Sequence, residues 1–517
     1  MTKEILGFVT VKDYEFPNTF YCWAILSSLD VVKKDSFVII EDAKNPSMKF
    51  IGQVIDIVNA STILKESSRE EMLRSSKGAE DIVKGALSEP AFFKVYAKIK
   101  LMYKIEENDM HSVDVPPTDT SPVVRSELRY HLPQILGFSQ NPKTSICLGT
   151  LYSHPDVHVC LDLNRMLSGH IAIFGQTHSG KSYAAGVIIE EVVEKGVPVL
   201  VFDHMGEYLS MDKTVDGRPG LNLIIVRPGI DITIDFDDLI KASPILTTLG
   251  ITDAQLNLLK DAYTEAQIQI QKEAARKGTQ VQKAFRGVDA IQWLLSDVRI
   301  PKTNETRKML YVIGRRKGYS TATIDGLRWK LEVLLNKGII GAGFDIIDII
   351  KPRCLTVVDL STVDQSLRSL VVAAMLSKIA EARKKDKIPP LLVVIEEAHN
   401  YVPPEETPSS VMIRDLIRGA RHWGIGVMLV SQRPSGIHRD AINVANTHII
   451  FRLKGTDLEY VKQFAPFTKE ELEDIQILPD GVAYITGPII RGGLSIKVAI
   501  RKRRTVHGGQ SIKFLNI

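Results

Sequence analysis

Short apolar runs broken by polar residues mark the first hundred positions: Leu6–Val9, Phe37–Glu41, Phe50–Val58, and the alternating series Phe92, Val95, Ala97, Ile99, Leu101. A period of two puts successive side chains on opposite faces of a strand, and several short strands in succession predict a small β-barrel. Between them, residues 64–87 are charged and polar, with spaced apolar positions at Leu64, Met72, Ile82 and Val83. That pattern predicts a helical excursion inserted in the barrel. Pro116, Pro117 and Pro122 then interrupt any period, predicting a linker and a domain boundary within 115–145.

From His170 the rhythm changes. Ile171–Phe174 is a continuous apolar run, Lys181–Lys195 reads as a helix stopped by Gly196, and Val197–Phe202 as a second buried strand. Strands alternating with helices in this way predict a parallel sheet covered on both faces. The alternation resumes with Cys354–Leu360, Gln365–Lys384, Leu391–Ile395, Met412–His422, Ile425–Val430 and His448–Leu453. Between the two runs, Thr252 and Gln255 make a capping box, and Leu256, Leu259, Tyr263, Ala266 and Ile270 recur at helical spacing, as do Leu327, Leu331, Leu334 and Leu335. The chain therefore divides into an N-terminal barrel (1–140), a first part of an α/β core (145–235), an inserted helical subdomain (236–350), a second part of the core (351–500) and a basic C-terminal tail (501–517). Repeats at a fixed period and low-complexity tracts are both missing, which excludes solenoids and propellers.

Composition changes this picture little. The 517 residues are 44% apolar, enough for a full-sized core, and the charges nearly cancel at +4, so any basic surface is local. Arg307-Lys308, Arg315-Arg316-Lys317 and Arg501-Lys502-Arg503-Arg504 are the clusters able to meet phosphates without reading sequence, although most charge runs are solvated faces. Cys22, Cys147, Cys160 and Cys354 form no CxxC pair and have no His at ligand spacing, which argues against a zinc site or a disulfide framework and for a reducing cytoplasm. No apolar run approaches the ~20 residues needed to span a bilayer, and the N-terminus lacks a leader pattern, so the expectation is a cytoplasmic chain with no membrane association.

The chemistry is carried by Gly175-Gln176-Thr177-His178-Ser179-Gly180-Lys181-Ser182, which satisfies GxxxxGK[ST] between a strand and a helix and leads into Tyr183. Such a loop turns successive N–H groups toward an anion, and the following helix adds the positive end of its dipole. Lys181 then reaches the β and γ phosphates of ATP, and Ser182 offers its hydroxyl to Mg²⁺. The apolar strand Leu391–Ile395 ends in Glu396-Glu397, an uncommon end for a buried strand. Here Glu396 is expected to hold magnesium through water and Glu397 to polarise the attacking water. Solvation of the strand end is the plainer alternative for both. Gln432, at the edge of the next strand, either senses the γ phosphate or caps a loop. Asp203 and Glu207 follow another strand at the same edge, where they position water or metal or cap the turn. Phosphoryl transfer spreads charge that one lysine does not cover, so a second arginine is expected, often from a neighbouring subunit. Arg421 is the candidate, Arg418 lies three residues before it, and Arg433 is another; pairing with Asp415 is the competing role.

Taken together, the phosphate loop, Ile395-Glu-Glu-Ala-His-Asn400, Arg418-Gly-Ala-Arg421 and Val430-Ser-Gln-Arg-Pro434 resemble the HerA branch of the HerA/FtsK ATPases over residues 160–490, and more weakly over the barrel. The resemblance implies a RecA-like motor with an N-terminal barrel and a helical insertion. It also implies a homo-oligomeric ring, a hexamer in similar proteins, that translocates double-stranded DNA and acts with a NurA-type nuclease in end resection during break repair. It places Thr486-Gly487 near the adenine. Two positions depart from the family pattern: no basic residue precedes His170, and His178 stands where Gly is usual, a substitution the loop is expected to accommodate. A ring ATPase acting on protein, and a scaffold that uses nucleotide to assemble a nuclease or other effector, are the competing readings.

Overall fold

The computed structural model describes residues 4–508 apart from 28–31, 62–92, 107–108, 126–127, 242–245, 247–249, 277–286, 300–304, 337 and 342–345. The helical excursion expected over 64–87 lies outside the described residues. The strand-rich start of the chain closes on itself. β1 (Glu4–Thr10) pairs antiparallel with β2 (Tyr21–Leu26), β2 with β5 (Phe93–Glu106), β5 with β4 (Lys49–Ser61), β4 with β3 (Phe37–Glu41), and β3 with β7 (Pro122–Arg125), which returns to β1. β6 (Asp109–His111) is appended to β5. Closure leaves no open edge among the six barrel strands, and Leu6, Val9, Ala24, Phe50, Val54 and Ile99 fill the interior. The closing strand β7 falls inside the stretch expected to be linker. Its proline is the first residue of the strand, the one place where a missing N–H costs a sheet little.

The second unit is an eleven-stranded sheet. Its parallel part runs in the order β12 (Asn222–Val226), β15 (Cys354–Asp359), β11 (Val199–Asp203), β16 (Leu391–Ile395), β17 (Ile425–Ser431), β10 (Ile171–Phe174) and β18 (Thr447–Ile450). Beyond β18 the sheet continues antiparallel through β19 (Val482–Thr486), β20 (Ile496–Ile500), β8 (Ser145–Leu151) and β9 (His158–Asp162). The expectation of a parallel sheet is thus corrected to a mixed one. Within this extension no α-helix separates β19 from β20 or β8 from β9, so each of these pairs folds back antiparallel. Before β8, α1 (Leu128–Ile135) and the residues after it put Leu132, Ile135, Leu136 and Phe138 into a core shared by this sheet and by Phe37, Ile51 and Met102 of the barrel.

On the faces lie α2 (Lys181–Glu194), α5 (Gln365–Lys384) and α6 (Pro408–Trp423). The inserted segment is built on α3 (Asp253–Arg276) and α4 (Thr321–Asn336). The Thr252 backbone N–H donates to Gln255 Oε1 at 3.2 Å and the Gln255 N–H to Thr252 Oγ1 at 3.3 Å, completing the capping box. Leu256, Leu259, Tyr263 and Ala266 are buried together with Leu327, Leu331 and Leu334. A small hairpin, β13 (Asp297–Arg299) with β14 (Thr306–Lys308), interrupts what periodicity read as helical throughout. Among the described residues no helix is long and apolar enough to cross a membrane.

The cysteine reading is overturned. Cys147 on β8 and Cys160 on β9 face each other in register and are joined by a disulfide, with Cα atoms 4.0 Å apart. Thirteen residues of hairpin bring them together, a closeness that spacing alone does not reveal, and the cysteine count no longer speaks for a reducing compartment.

Barrel and motor meet through buried charge. Lys497 Nζ lies 2.7 Å from Asp474 and 3.6 Å from Asp35 of the barrel, and the Tyr484 hydroxyl donates to Asp474 at 2.8 Å. Lys98 and Lys100 of β5 pair with Glu470 and Glu471 of α7 (Lys469–Ile475) at 3.2 and 3.5 Å. Taking one partner out of a buried set leaves its acids facing each other, at a cost of about 3–5 kcal/mol. Lys497→Met is therefore expected to lower the thermal midpoint and to speed proteolytic cleavage between barrel and motor. An unchanged cleavage rate would mean that this contact does not hold the two units together.

Candidate nucleotide site

β10 lies between β17 and β18, and the phosphate loop leaves its carboxyl end at Phe174. Gly180 takes φ 114° and His178 φ 62°, so the side chain at 178 is accommodated in the left-handed region, as expected for histidine. The loop is braced on all sides. The Gln176 N–H donates to the Arg452 carbonyl at 2.8 Å, Ser179 Oγ to the Gln176 carbonyl at 2.7 Å, and the Gly481 N–H to the Ser179 carbonyl at 3.0 Å. Lys181 Nζ donates to the Gln176 carbonyl at 3.0 Å. Burial holds the Lys181 ammonium below its ordinary pKa, against the pull of Glu397, Glu396 and Glu207. A buried cation opening onto the first turn of a fourteen-residue helix is an anion site in waiting.

At the end of β16, Glu396 is buried, accepts from the Tyr208 hydroxyl at 2.6 Å and from Ser182 Oγ at 3.3 Å. Burial pushes its carboxyl up to about 8; Glu207, Glu397 and Asp203 push the same way while the Tyr208 bond opposes them. Glu397 follows in a left-handed conformation, φ 49° and ψ 50°, a strained geometry for a residue with a side chain. Burial raises its carboxyl, and Lys181 opposes. Its Oε2 is buried without a hydrogen bond, although His399 Nδ1 approaches to 3.2 Å. His399, pushed down to about 4 by burial and by Arg433, is neutral and sits 3.0 Å from Ser431 Oγ. Gln432 Oε1 accepts from Thr177 Oγ1 at 2.8 Å, so the residue that follows β17 touches the phosphate loop directly.

Among the remaining acids, Asp203 is fully buried and accepts from the backbone N–H groups of Met205, Gly206, Glu207 and Tyr208 at 2.8 to 3.3 Å. It caps the turn and does not face the cavity. Glu207 does line the cavity, and its Oε2 is buried without a partner. Sequence reading missed Tyr208, because nothing in a tyrosine after an acid announces a bond to a strand end 188 residues away. It also missed His204, Asp480 and His507, all of which line the cavity.

Thr486-Gly487 is corrected. β19 runs antiparallel to β18, pairing Tyr484 with Ile450 at the carboxyl edge and Thr486 with His448 farther back, so Thr486 and Gly487 approach the opposite edge of the sheet. Gly487 packs there on Asn446, near Gly169. Asp480-Gly481, at the start of β19, sits against the phosphate loop instead. Arg165 is likewise at that far edge, donating to the Pro488 carbonyl at 2.9 Å, and His170 is a buried brace between Ile417 and Val427.

Arg418 pairs with Asp440 at 2.9 Å on the surface. Arg421 lies in the last turn of α6; its side chain is outside the described part. Arg433 is exposed, and its charge reaches Glu397 and His399. The basic clusters are largely paired with acids: Arg307 with Glu305, Lys308 with Asp297, Arg316 with Glu265. The C-terminal cluster corrects the expectation of a free basic tail, since Arg501 and Arg504 lie on Glu190 and Glu191 of α2 at 2.9 to 3.4 Å and Arg503 is buried beside them.

These groups enclose a cavity of about 700 Å³. Among the described residues no cluster of three or more His, Cys, Asp or Glu is arranged to cage a metal. Mg²⁺ arriving on a nucleotide takes few protein ligands and keeps several waters. Ser182 with Glu396, and the unpartnered oxygens of Glu207 and Glu397, fit such an ion and its water shell.

Residues 146–379 match the family model described as "Helicase HerA, central domain". The chain is 28% identical over 443 residues to the DNA double-strand break repair helicase HerA of Pyrococcus furiosus, covering 77% of this chain and 76% of that protein. It is 27% identical over 470 residues to the protein of the same name from Sulfurisphaera tokodaii, covering 87% and 86%. Among solved structures, VirB4 of Thermoanaerobacter pseudethanolicus aligns over 70% of this chain and 97% of its own at 16% identity, with a TM-score of 0.48.

Proposed function

We propose that this chain is a HerA-type, ATP-hydrolysing DNA motor that assembles into a homo-oligomeric ring, a hexamer, around double-stranded DNA. The observation that carries the reading is the meeting of two elements, the first turn of α2 and the end of β16, at one cavity: Ser182 Oγ donates to Glu396 at 3.3 Å, while Lys181 and Glu397 lie beside them. Lys181 and the N–H groups of the loop bind the β and γ phosphates, Ser182 and Glu396 hold Mg²⁺ and its waters, Glu397 accepts the proton of the attacking water, and Gln432 senses the γ phosphate. Bound Mg²⁺ neutralises charge on the phosphate oxygens. Action with a NurA-type nuclease in end resection extends the break-repair role named for the HerA relatives, and the barrel is its docking unit.

ATP turnover by the purified chain, with and without linear duplex DNA at low salt, tests the motor reading. Stimulation by DNA is expected. Turnover indifferent to DNA would favour a ring ATPase acting on protein, and negligible turnover a nucleotide-dependent scaffold.

Tyr208 is a positioning residue for Glu396. Outer partners of metal-holding carboxylates are worth about 10–100-fold in metal affinity or activity. Tyr208→Phe is expected to raise the Mg²⁺ concentration for half-maximal turnover by about tenfold while sparing nucleotide binding. A Mg²⁺ dependence equal to that of the unaltered chain would remove Tyr208 from this role.

A further inference from the structure

The cavity has one wall that phosphate chemistry does not use. Tyr183, on the first turn of α2, meets His507 edge to face, with ring centroids 6.1 Å apart and planes at 79°. Both rings line the cavity, as does Met205, a large apolar side chain left 67% exposed. A tyrosine ring beside an exposed thioether contrasts with the charged and polar groups Lys181, Ser182, Glu207, Glu397 and Gln432 that also line the cavity. A base needs such a surface, because stacking on a π face is tolerant of ring identity and replaces water on both sides.

His507 is fixed with care. After β20 the chain crosses α2 at Gly186, where a Cβ would come within 2.6 Å of the Arg503 guanidinium. Only a residue without a side chain lets that arginine lie on the helix. The Arg503 N–H donates to the Tyr183 hydroxyl at 2.6 Å, its Nε to Thr505 Oγ1 at 2.8 Å, and its Nη1 sits 3.0 Å from His507 Nδ1. Glu190, buried on α2, gathers the Arg504 and Thr505 N–H groups and the Thr505 hydroxyl at 2.8 to 2.9 Å. With Arg503 donating to Nδ1, the proton of the imidazole is on Nε2. Burial and the Arg503 charge hold His507 below its ordinary pKa, so the ring is neutral and stacks without a cation to desolvate.

We propose that Tyr183 and His507 form the platform that receives the base of the bound nucleotide, and that Arg503 is the residue that positions it. The inference rests on the reading of this cavity as the ATP site. It gives the 501–507 segment the task of completing the pocket from the end of the chain, a task that a solvated basic tail could not perform.

The test compares two ligands on the full chain by calorimetry with Mg²⁺ present: the non-hydrolysable analogue AMP-PNP, and inorganic tripolyphosphate, which has phosphates but no base. His507→Ala is expected to weaken AMP-PNP about tenfold, the scale of one base–aromatic stack, and to leave tripolyphosphate unchanged. His507→Phe keeps a π face and is expected to bind AMP-PNP nearly as the unaltered chain does. Undiminished AMP-PNP binding by His507→Ala, or equal weakening of both ligands, overturns the platform. Lys181→Ala is run beside them and must lose both ligands. If it keeps tripolyphosphate, the phosphate-site reading fails, a result distinct from a flat His507 response.

Discussion

Glu397→Gln is expected to bind ATP with near-normal affinity and to hydrolyse it at least about 10²-fold more slowly, the contribution of a positioned general base. Two acids stand at the end of β16, and their surroundings assign them different work. Glu396 has both oxygens engaged, one by Tyr208 and the other by Ser182, which ties it to the expected magnesium-holding hydroxyl. Glu397 keeps a buried, unbonded Oε2, close to Lys181, on a backbone held left-handed by the turn that follows. Strain of that kind persists where neighbouring structure fixes it, and here it aims the carboxyl of Glu397 into the cavity and away from the strand axis. Glutamine has nearly the same shape, so the variant keeps the pocket filled while losing the base. Lys181→Ala should behave oppositely, with binding itself weakened. The measurement is nucleotide affinity alongside single-turnover hydrolysis. Near-normal hydrolysis by Glu397→Gln would move the base to another acid, and Glu207, also lining the cavity with an unpartnered oxygen, would be next.

What the sequence made legible follows the range of the interactions involved. The phosphate loop, the strand before it and the helix after it are contiguous, so eight residues carry their own geometry, down to the left-handed His178. The capping box at Thr252 is equally local. Period and apolar length found six of the seven parallel strands, each buried along its whole length, and passed over the partly exposed edge strand β12. The antiparallel extension through β19, β20 and β8 was not legible. Its partners are joined across more than 300 residues, as where Val498 meets Leu151, and no local pattern reports such a closure. Tyr208, His507 and the Cys147–Cys160 pair were hidden for the same reason: each acquires its meaning from a residue on another element. The adenine assignment to Thr486-Gly487 failed differently. It depended on the direction in which β19 crosses the sheet, and an antiparallel strand carries its C-terminal residues away from the edge where the phosphate loop lies.

That same geometry sets the terms for Arg421. α6 returns the chain from the carboxyl end of β16 to the start of β17, and the carbonyl of Ile417 near its end already meets His170, at the opening of β10. Arg421, one turn farther on, therefore lies toward the amino edge of the sheet, whereas the nucleotide cavity opens at the carboxyl edge. From that place we propose that it stabilises phosphoryl transfer in a neighbour's pocket. Arg418 is occupied by Asp440, and Arg433 is close enough to its own Glu397 to influence it, so neither competes for that place. A finger supplied across an interface contributes about 10³-fold or more to turnover. We expect Arg421→Ala to fold, bind ATP and lose hydrolysis on that order, while Arg418→Ala, which removes only an exposed pair, stays near the unaltered rate. Mixing Arg421→Ala with Lys181→Ala subunits is the decisive measurement. Neither parent hydrolyses ATP appreciably, yet a mixed ring contains pockets with an intact Lys181 from one variant and an intact Arg421 from the other. Partial activity is expected to return in proportion to those junctions. If subunit exchange is verified and the mixture stays as inactive as its parents, Arg421 does not act in trans.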